Sequence, residues 1–146
     1  MKKLIIPMMF SVLFVLGSKA QTISNEDTNI DLSTADIWVV EKTLNTEKLK
    51  KYFHFELMER LPLMVLFKGN VEESFEISCF GHSVNIITSL DAGGNDGSII
   101  ELVNLTRNEN EIILVFKYSI EGIKVTSVFN KKGQEWEMKE LEIIEN

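Results

Sequence analysis

Apolar and polar residues alternate in short runs through the second half of the chain, with turn residues between the runs. The strongest alternation covers 112–120, where every second residue is apolar. A period of two is typical of β-strands that place one face on a core. The predicted strands are 63–67, 73–80, 83–90, 99–106, 112–120, 123–130 and 135–145. Because short connections join them, sequential strands are expected to be antiparallel neighbours.

The alternation breaks once, in the closing strand. Trp136 and Met138 have even numbers, whereas Leu141 and Ile143 have odd numbers, so a regular strand would send the two pairs to opposite faces. One extra residue in the strand restores the phase. The sequence therefore predicts a β-bulge near 139–140.

A period of about 3.6 residues precedes the strands and predicts a helix. Asn45 is placed to cap its N-terminus, and Pro62 marks its latest end. The predicted apolar stripe consists of Leu49, Tyr52, Phe53 and Leu57.

The segment 34–44 gives two conflicting signals. Ser33 and Asp36 resemble a capping box with Asp in place of Glu, which opens a helix. The residues 37–40 that follow are rich in strand formers. Helix and strand both stay open for this segment.

These elements predict an α+β fold: one or two N-terminal helices packed on a curved antiparallel meander sheet of about six or seven strands. A small β-barrel with a helical lid is the alternative. The element order is similar to that of cystatin-like and NTF2-like α+β folds, and element order alone implies no function.

The N-terminus has the pattern of a signal peptide. Lys2 and Lys3 precede an apolar run at 4–16, and small residues surround the expected cleavage point after Ala20. This run is shorter than the roughly 20 residues that a membrane-spanning helix needs. We expect a signal peptide at 1–20, a flexible polar leader at 21–32 and a single domain at 33–146. The mature protein is expected to be soluble, without a stable membrane anchor, in the periplasm or outside the cell.

Charge and cysteine content limit the partners. The segment 1–20 carries three lysines and no acids, so its removal changes the formal charge from −7 to −10. Such a chain repels phosphate backbones, which argues against nucleic acid and favours a basic protein or a small ligand. Cys79 is the only cysteine, so no intramolecular disulfide is possible. Its alternation with Phe75 and Ile77 predicts a core position rather than a catalytic thiolate.

Four residues are candidates for a ligand site. Glu56 and Arg60 are one helical turn apart within the apolar stripe, where a carboxylate–guanidinium pair could orient a polar ligand. If the helix ends near Phe55, they form an ordinary surface pair instead. Tyr118 and Trp136 could line a pocket between helix and sheet. The acidic, glycine-rich stretch 91–97 is expected to be a flexible loop rather than a calcium site.

The sequence contains no nucleophile–base pair, zinc spacing or cofactor fingerprint. We therefore expect an exported, non-catalytic binding module of the inhibitor, immunity-type or periplasmic binding kind, with no cofactor and no metal. One alternative is a small-pocket hydrolase or isomerase that uses Glu56 with Arg60 and Tyr118. Another is an assembly subunit that pairs through a sheet edge.

The signal peptide has a direct test. When the full-length chain is expressed in an exporting bacterial host, its intact mass should correspond to residues 21–146. Ala20→Lys should block processing because cleavage requires a small residue before the cut, whereas Lys19→Ala should not. Retention of 1–20 in the unsubstituted chain would contradict the prediction.

Overall fold

The computed structural model describes residues 21–24, 32–69, 75–88 and 98–146. Two helices pack on one face of a curved sheet, which is an α+β fold as predicted. The helices are α1 (Thr34–Leu44) and α2 (Glu47–Phe53), and 3-10 turns lie at Met58–Arg60 and Ser119–Glu121. The strands are β1 (Gln21–Ser24), β2 (Leu63–Leu66), β3 (Ile77–Cys79), β4 (His82–Ile87), β5 (Ile99–Arg107), β6 (Glu111–Tyr118), β7 (Ile123–Lys132) and β8 (Glu135–Glu145).

A complete capping box decides the open question of residues 34–44 in favour of a helix. The Asp36 backbone N–H donates to Ser33 Oγ at 3.2 Å, and Asp36 Oδ2 accepts from the Ser33 backbone N–H at 2.8 Å. Ile37, Val39 and Val40 are buried on the sheet side of α1. Their burial in the core outweighs the weak strand preference of β-branched residues.

Helix α2 follows the alternative in which the helix ends near Phe55 rather than at Pro62, and the assignment of Asn45 as its cap is wrong. Thr46 precedes α2, while Asn45 follows α1 and turns its side chain toward β3 and β4. The helix ends at Phe53 because His54 adopts a left-handed backbone with φ 48°. The predicted stripe is buried at Leu49, Tyr52 and Phe53, but Leu57 lies beyond the helix.

The sheet is mixed rather than purely antiparallel, which corrects the meander prediction. Its strand order is β3-β4-β2-β5-β6-β7-β8, and β1 pairs separately with β5. Strand β2 is parallel to both of its neighbours, β4 and β5. All four of its residues are buried, as is typical of a central strand, and such a strand shows no alternation. The connecting segments 70–74 and 89–97, including the candidate calcium loop, lie outside the described residues.

Strands β5 to β8 form the predicted antiparallel meander. The predicted bulge is confirmed: Val128 pairs with Glu140 and Phe129 with Met138, which leaves Lys139 as the extra residue. The prediction for 112–120 fails at its end, because Ile120 lies in a 3-10 turn and is 46% exposed.

The N-terminal segments are described only in part. Gln21–Ser24, assigned to the polar leader, pair with Asn104–Arg107 of β5 as strand β1. The signal segment 1–20 and residues 25–31 lie outside the described residues. No helix in the described part of the chain is long and apolar enough to cross a membrane.

Polar contacts fix α1 against the apolar core. The Thr43 hydroxyl contacts Val39 O at 2.7 Å and Ser127 Oγ of β7 at 2.8 Å, and Thr43 and Ser127 are both fully buried. The largest fully buried side chains are Tyr118, Phe53, Phe67, Phe129, Leu44, Leu49, Leu63, Ile100, Leu105, Ile112, Leu114 and Ile123.

Asn45 offers a test of how the helices are joined to the sheet. Its amide nitrogen donates to Ser78 O at 2.6 Å and to Glu41 O at 2.8 Å, and its oxygen accepts from the Phe80 N–H at 2.7 Å. Asn45→Ala should lower the free energy of unfolding by about 2 kcal/mol, measured by urea denaturation, because these groups lose their partners.

Asn85→Ala is the matched control, since Asn85 is an exposed residue of β4. It should change the free energy of unfolding by less than about 0.5 kcal/mol. Equal effects of the two substitutions would show that the Asn45 bridge contributes no stability.

Candidate functional site

A cluster of charged side chains lies where the end of α2 and the two 3-10 turns meet. Arg60 ends the turn Met58–Arg60, and Glu121 ends the turn Ser119–Glu121 directly after β6. The Arg60 guanidinium donates to Glu121 Oε1, and both side chains are mostly buried, at 17% and 16% exposure. This ion pair joins the two turns.

Tyr118 lies beneath this pair and is fully buried. Burial raises the pKa of its hydroxyl, while the neighbouring Arg60 opposes the increase through its charge and a hydrogen bond. The pKa of Arg60 is in turn raised by its hydrogen bond to Glu121. The structure thus brings Arg60 and Tyr118 together.

His54 extends the cluster toward solvent. Its Nε2 lies 3.4 Å from Glu121 Oε2, and its Nδ1 lies 2.9 Å from Glu56 Oε1. The left-handed backbone at His54 places the ring between these carboxylates. The result is a row of alternating groups, Arg60, Glu121, His54 and Glu56, that runs from the interior to the surface.

Glu56 is the outermost member, and its side chain is 69% exposed. Its pKa is lowered by a hydrogen bond from its own backbone and by the bond to His54. A carboxylate in this environment stays ionised near neutral pH, whereas a general acid needs a raised pKa. The Arg60–Glu121 ion pair joins the two turns and His54 joins Glu121 to Glu56, so the main effect of the cluster is to hold these segments together.

Trp136, the fourth predicted site residue, lies elsewhere. It lies near the start of β8, where it pairs with Lys131. Tyr118 lies level with the other end of β8, because its partner Ile123 pairs with Glu145. Nine residues of strand span about 30 Å, so Trp136 and Tyr118 do not share a pocket.

Neither Glu121 nor His54 was identified from the sequence as a member of this cluster. Residues 54, 60 and 121 are not related by a helix or strand period, so only the tertiary fold brings them together.

A second candidate surface is the edge of the sheet at β8. In the described part of the chain, β8 pairs only with β7. Four of its apolar side chains face the helices and are half-buried: Trp136, Met138, Leu141 and Ile143. The fifth, Ile144, is 43% exposed on the outer face. Its exposed, outward-facing acids are Glu135, Glu137, Glu140 and Glu142.

An open groove runs between α2 and the C-terminal half of β8. Its lining residues are Glu47, Lys48, Lys51, Tyr52 and Ile143. At one end the Tyr52 hydroxyl donates to Glu145 Oε1, and Lys51 Nζ lies 3.7 Å from the same oxygen. These contacts lower the pKa of Glu145, first through the Tyr52 hydrogen bond and then through the Lys51 charge.

The opposite edge of the sheet is already covered. Strand β3 has three residues, and Glu41 Oε1 accepts from both the backbone N–H and the hydroxyl of Ser78 at 3.0 Å. Asn45 binds the backbone on either side of Cys79. Side chains therefore cover the β3 edge, whereas the β8 edge is open to another chain in the described part of the structure.

Cys79 belongs to the core, as predicted. Its thiol is fully buried and donates to Leu44 O at 3.4 Å, and burial raises its pKa to about 12. A thiol with this pKa is not a nucleophile at neutral pH. Among the described residues, no group of three or more His, Cys, Asp or Glu side chains is arranged to hold a metal ion.

No family model, curated protein or solved structure matches this chain. The charged cluster and the β8 edge are therefore the grounds for a functional proposal.

The Arg60–Glu121 pair gives a prediction about stability. Glu121→Gln leaves the mostly buried guanidinium without its carboxylate, so the free energy of unfolding should fall by about 2 kcal/mol in urea denaturation at pH 7. Glu137→Gln is the control because the Lys132–Glu137 pair is exposed at 80% and 65%. It should change stability by less than about 0.5 kcal/mol. A negligible effect of both changes would identify Arg60–Glu121 as a screened surface pair.

Proposed function

We propose that the protein is an exported, non-catalytic binding module that recognises a protein with a basic surface. The observation that carries this proposal is the edge strand β8, which combines a half-buried apolar row with a row of exposed glutamates. Interfaces gain free energy by burying apolar surface, and complementary charges select and steer the partner.

The charge of the chain supports a basic partner. Residues 21–146 carry a formal charge of −10. Glu135, Glu140 and Glu142 form no ion pair among the described residues, and the only basic residue of β8 is Lys139, so four glutamates outweigh one lysine among the exposed outer side chains of this strand. A basic protein would be attracted to this edge, and raised salt would weaken the attraction.

The charged cluster supports binding over catalysis. Arg60 is already paired with Glu121, and His54 already contacts Glu121 and Glu56, so breaking these contacts to bind a substrate would cost free energy. A hydrolase or isomerase remains the second candidate because Arg60 contacts the buried Tyr118. That candidate lacks a suitable general acid, since Glu56 is exposed and has a lowered pKa.

Affinity capture tests the proposal. The protein is immobilised and exposed to extracts of its own cells and of neighbouring organisms, and retained proteins are identified by mass spectrometry. We expect a stoichiometric basic protein that elutes when salt is raised. A bait with Gln in place of Glu135, Glu137, Glu140 and Glu142 should lose this partner.

The matched control bait carries Gln in place of Glu59, Glu76, Glu109 and Glu111, which removes the same number of charges elsewhere. It should retain the partner. Retention of no protein, or equal loss from both variant baits, would count against recognition at β8.

A further inference from the structure

We propose that the partner adds a strand to β8, and that the added segment alternates basic and apolar residues. This inference rests on the proposed function and specifies the surface and the chemistry of the partner. It concerns the regular part of β8 after the bulge, Glu140–Glu145.

The backbone of β8 is the first ground. It is the longest strand of the sheet, with eleven residues, and its second hydrogen-bonding edge has no strand partner in the described ranges. Unpaired N–H and C=O groups along a strand edge are a template for another strand. The β3 edge differs because Glu41 and Asn45 already bind the backbone there.

The two faces of β8 dictate the side chains of an added strand. Glu140 and Glu142 pair with Val128 and Thr126 on the outer face, away from the helices. Leu141 and Ile143 lie on the inner face and are half-buried. Neighbouring residues on one face of a sheet interact directly, so the outer positions beside Glu140 and Glu142 favour Lys or Arg. The outer position beside the exposed Ile144 and the inner positions favour apolar residues.

The groove beside α2 supports the same alternation. Lys48 and Lys51 line it with a single acid, Glu47, so the lining is net positive and a basic side chain on the inner face would be repelled. Glu145, the one inner acid, is already bound by Tyr52 and Lys51. Basic residues are therefore favoured on the outer face only.

A second copy of this chain is a poor occupant. Antiparallel pairing of two β8 strands would place outer-face glutamates beside outer-face glutamates, which is destabilising. Exposed charges of this kind are a common protection of sheet edges against self-association. A strand with complementary charge overcomes that protection.

Peptide binding tests the inference. The first probe is a nine-residue peptide in which Lys and Val alternate, and the second has the same composition with all Lys before all Val. Isothermal titration calorimetry at low salt should show that the protein binds the alternating peptide at least about tenfold more tightly, since only alternation satisfies both faces.

N-methylated peptides distinguish strand addition, which needs hydrogen bonds from the peptide backbone, from charge attraction alone. N-methylation of every second amide removes the hydrogen bonds along one edge of the peptide. Two alternating peptides, methylated at the odd or at the even amides, should differ strongly, because only one edge of an added strand meets β8. Equal binding of these two peptides would overturn strand addition.

Matched variants locate the site. Glu140→Gln combined with Glu142→Gln should weaken binding of the alternating peptide about fivefold or more. Glu135→Gln combined with Glu137→Gln removes the same charge from the other side of the bulge and should have a smaller effect. Equal effects of the two double variants would overturn the assignment to Glu140–Glu145.

The outcomes distinguish this inference from the proposed function. If a basic partner is captured but the alternating peptide has no advantage, strand addition is wrong and the binding module stands. If sedimentation of the purified protein shows dimers that the Glu140→Gln and Glu142→Gln changes strengthen, the occupant is a second copy and this inference is wrong. Capture of no partner at all would remove the proposed function itself.

Discussion

The extra residue at Lys139 determines which side chains of β8 face the helices. With the bulge, Trp136, Met138, Leu141 and Ile143 all face the core side. Without it, Leu141 and Ile143 would face water, while Glu140 and Glu142 would turn toward α2. Each unpaired carboxylate taken from water costs several kcal/mol, so the phase change is strongly favoured. The outward position of Glu140 and Glu142 and the inward position of Leu141 and Ile143 both depend on this one residue.

The helices that cover the core are held by polar contacts at separate points on the sheet. Arg107 at the end of β5 pairs with the fully buried Asp36, and Thr43 bonds with Ser127 of β7. Asn45 then fastens the end of α1 to β3 and β4. Apolar burial supplies most of the driving force, but it is not directional, so these specific bonds define where the helices sit. The position of α2 beside β8, and with it the groove, follows from this anchoring.

Local signals in the sequence predicted most of the fold. Alternation located β5 to β8, and the broken phase of Trp136 and Leu141 located the bulge, because both depend on near neighbours. The capping box of Ser33 and Asp36 indicated α1, although its strand-forming residues left the choice open. The strand at 63–67 was predicted, but its parallel pairing with β4 and β5 was not, because a strand buried on both faces shows no period that orients it and its partners come from later segments.

Candidate sites were harder to predict than the fold because they depend on tertiary contacts. Arg60 and Tyr118 do meet, but Glu121 and His54 complete that cluster, and Trp136 lies far from it.

The difference between the two charged regions indicates where a partner gains free energy. At the Arg60 cluster each side chain already has a polar partner, so a ligand must replace contacts that exist. At β8, Glu140 and Glu142 form no ion pair among the described residues, and the backbone beside them lacks a strand partner. A basic strand exchanges only water for protein contacts there, and it also covers the half-exposed Leu141 and Ile143. The balance of charge, backbone and apolar surface therefore favours recognition at the sheet edge over the buried ion pair.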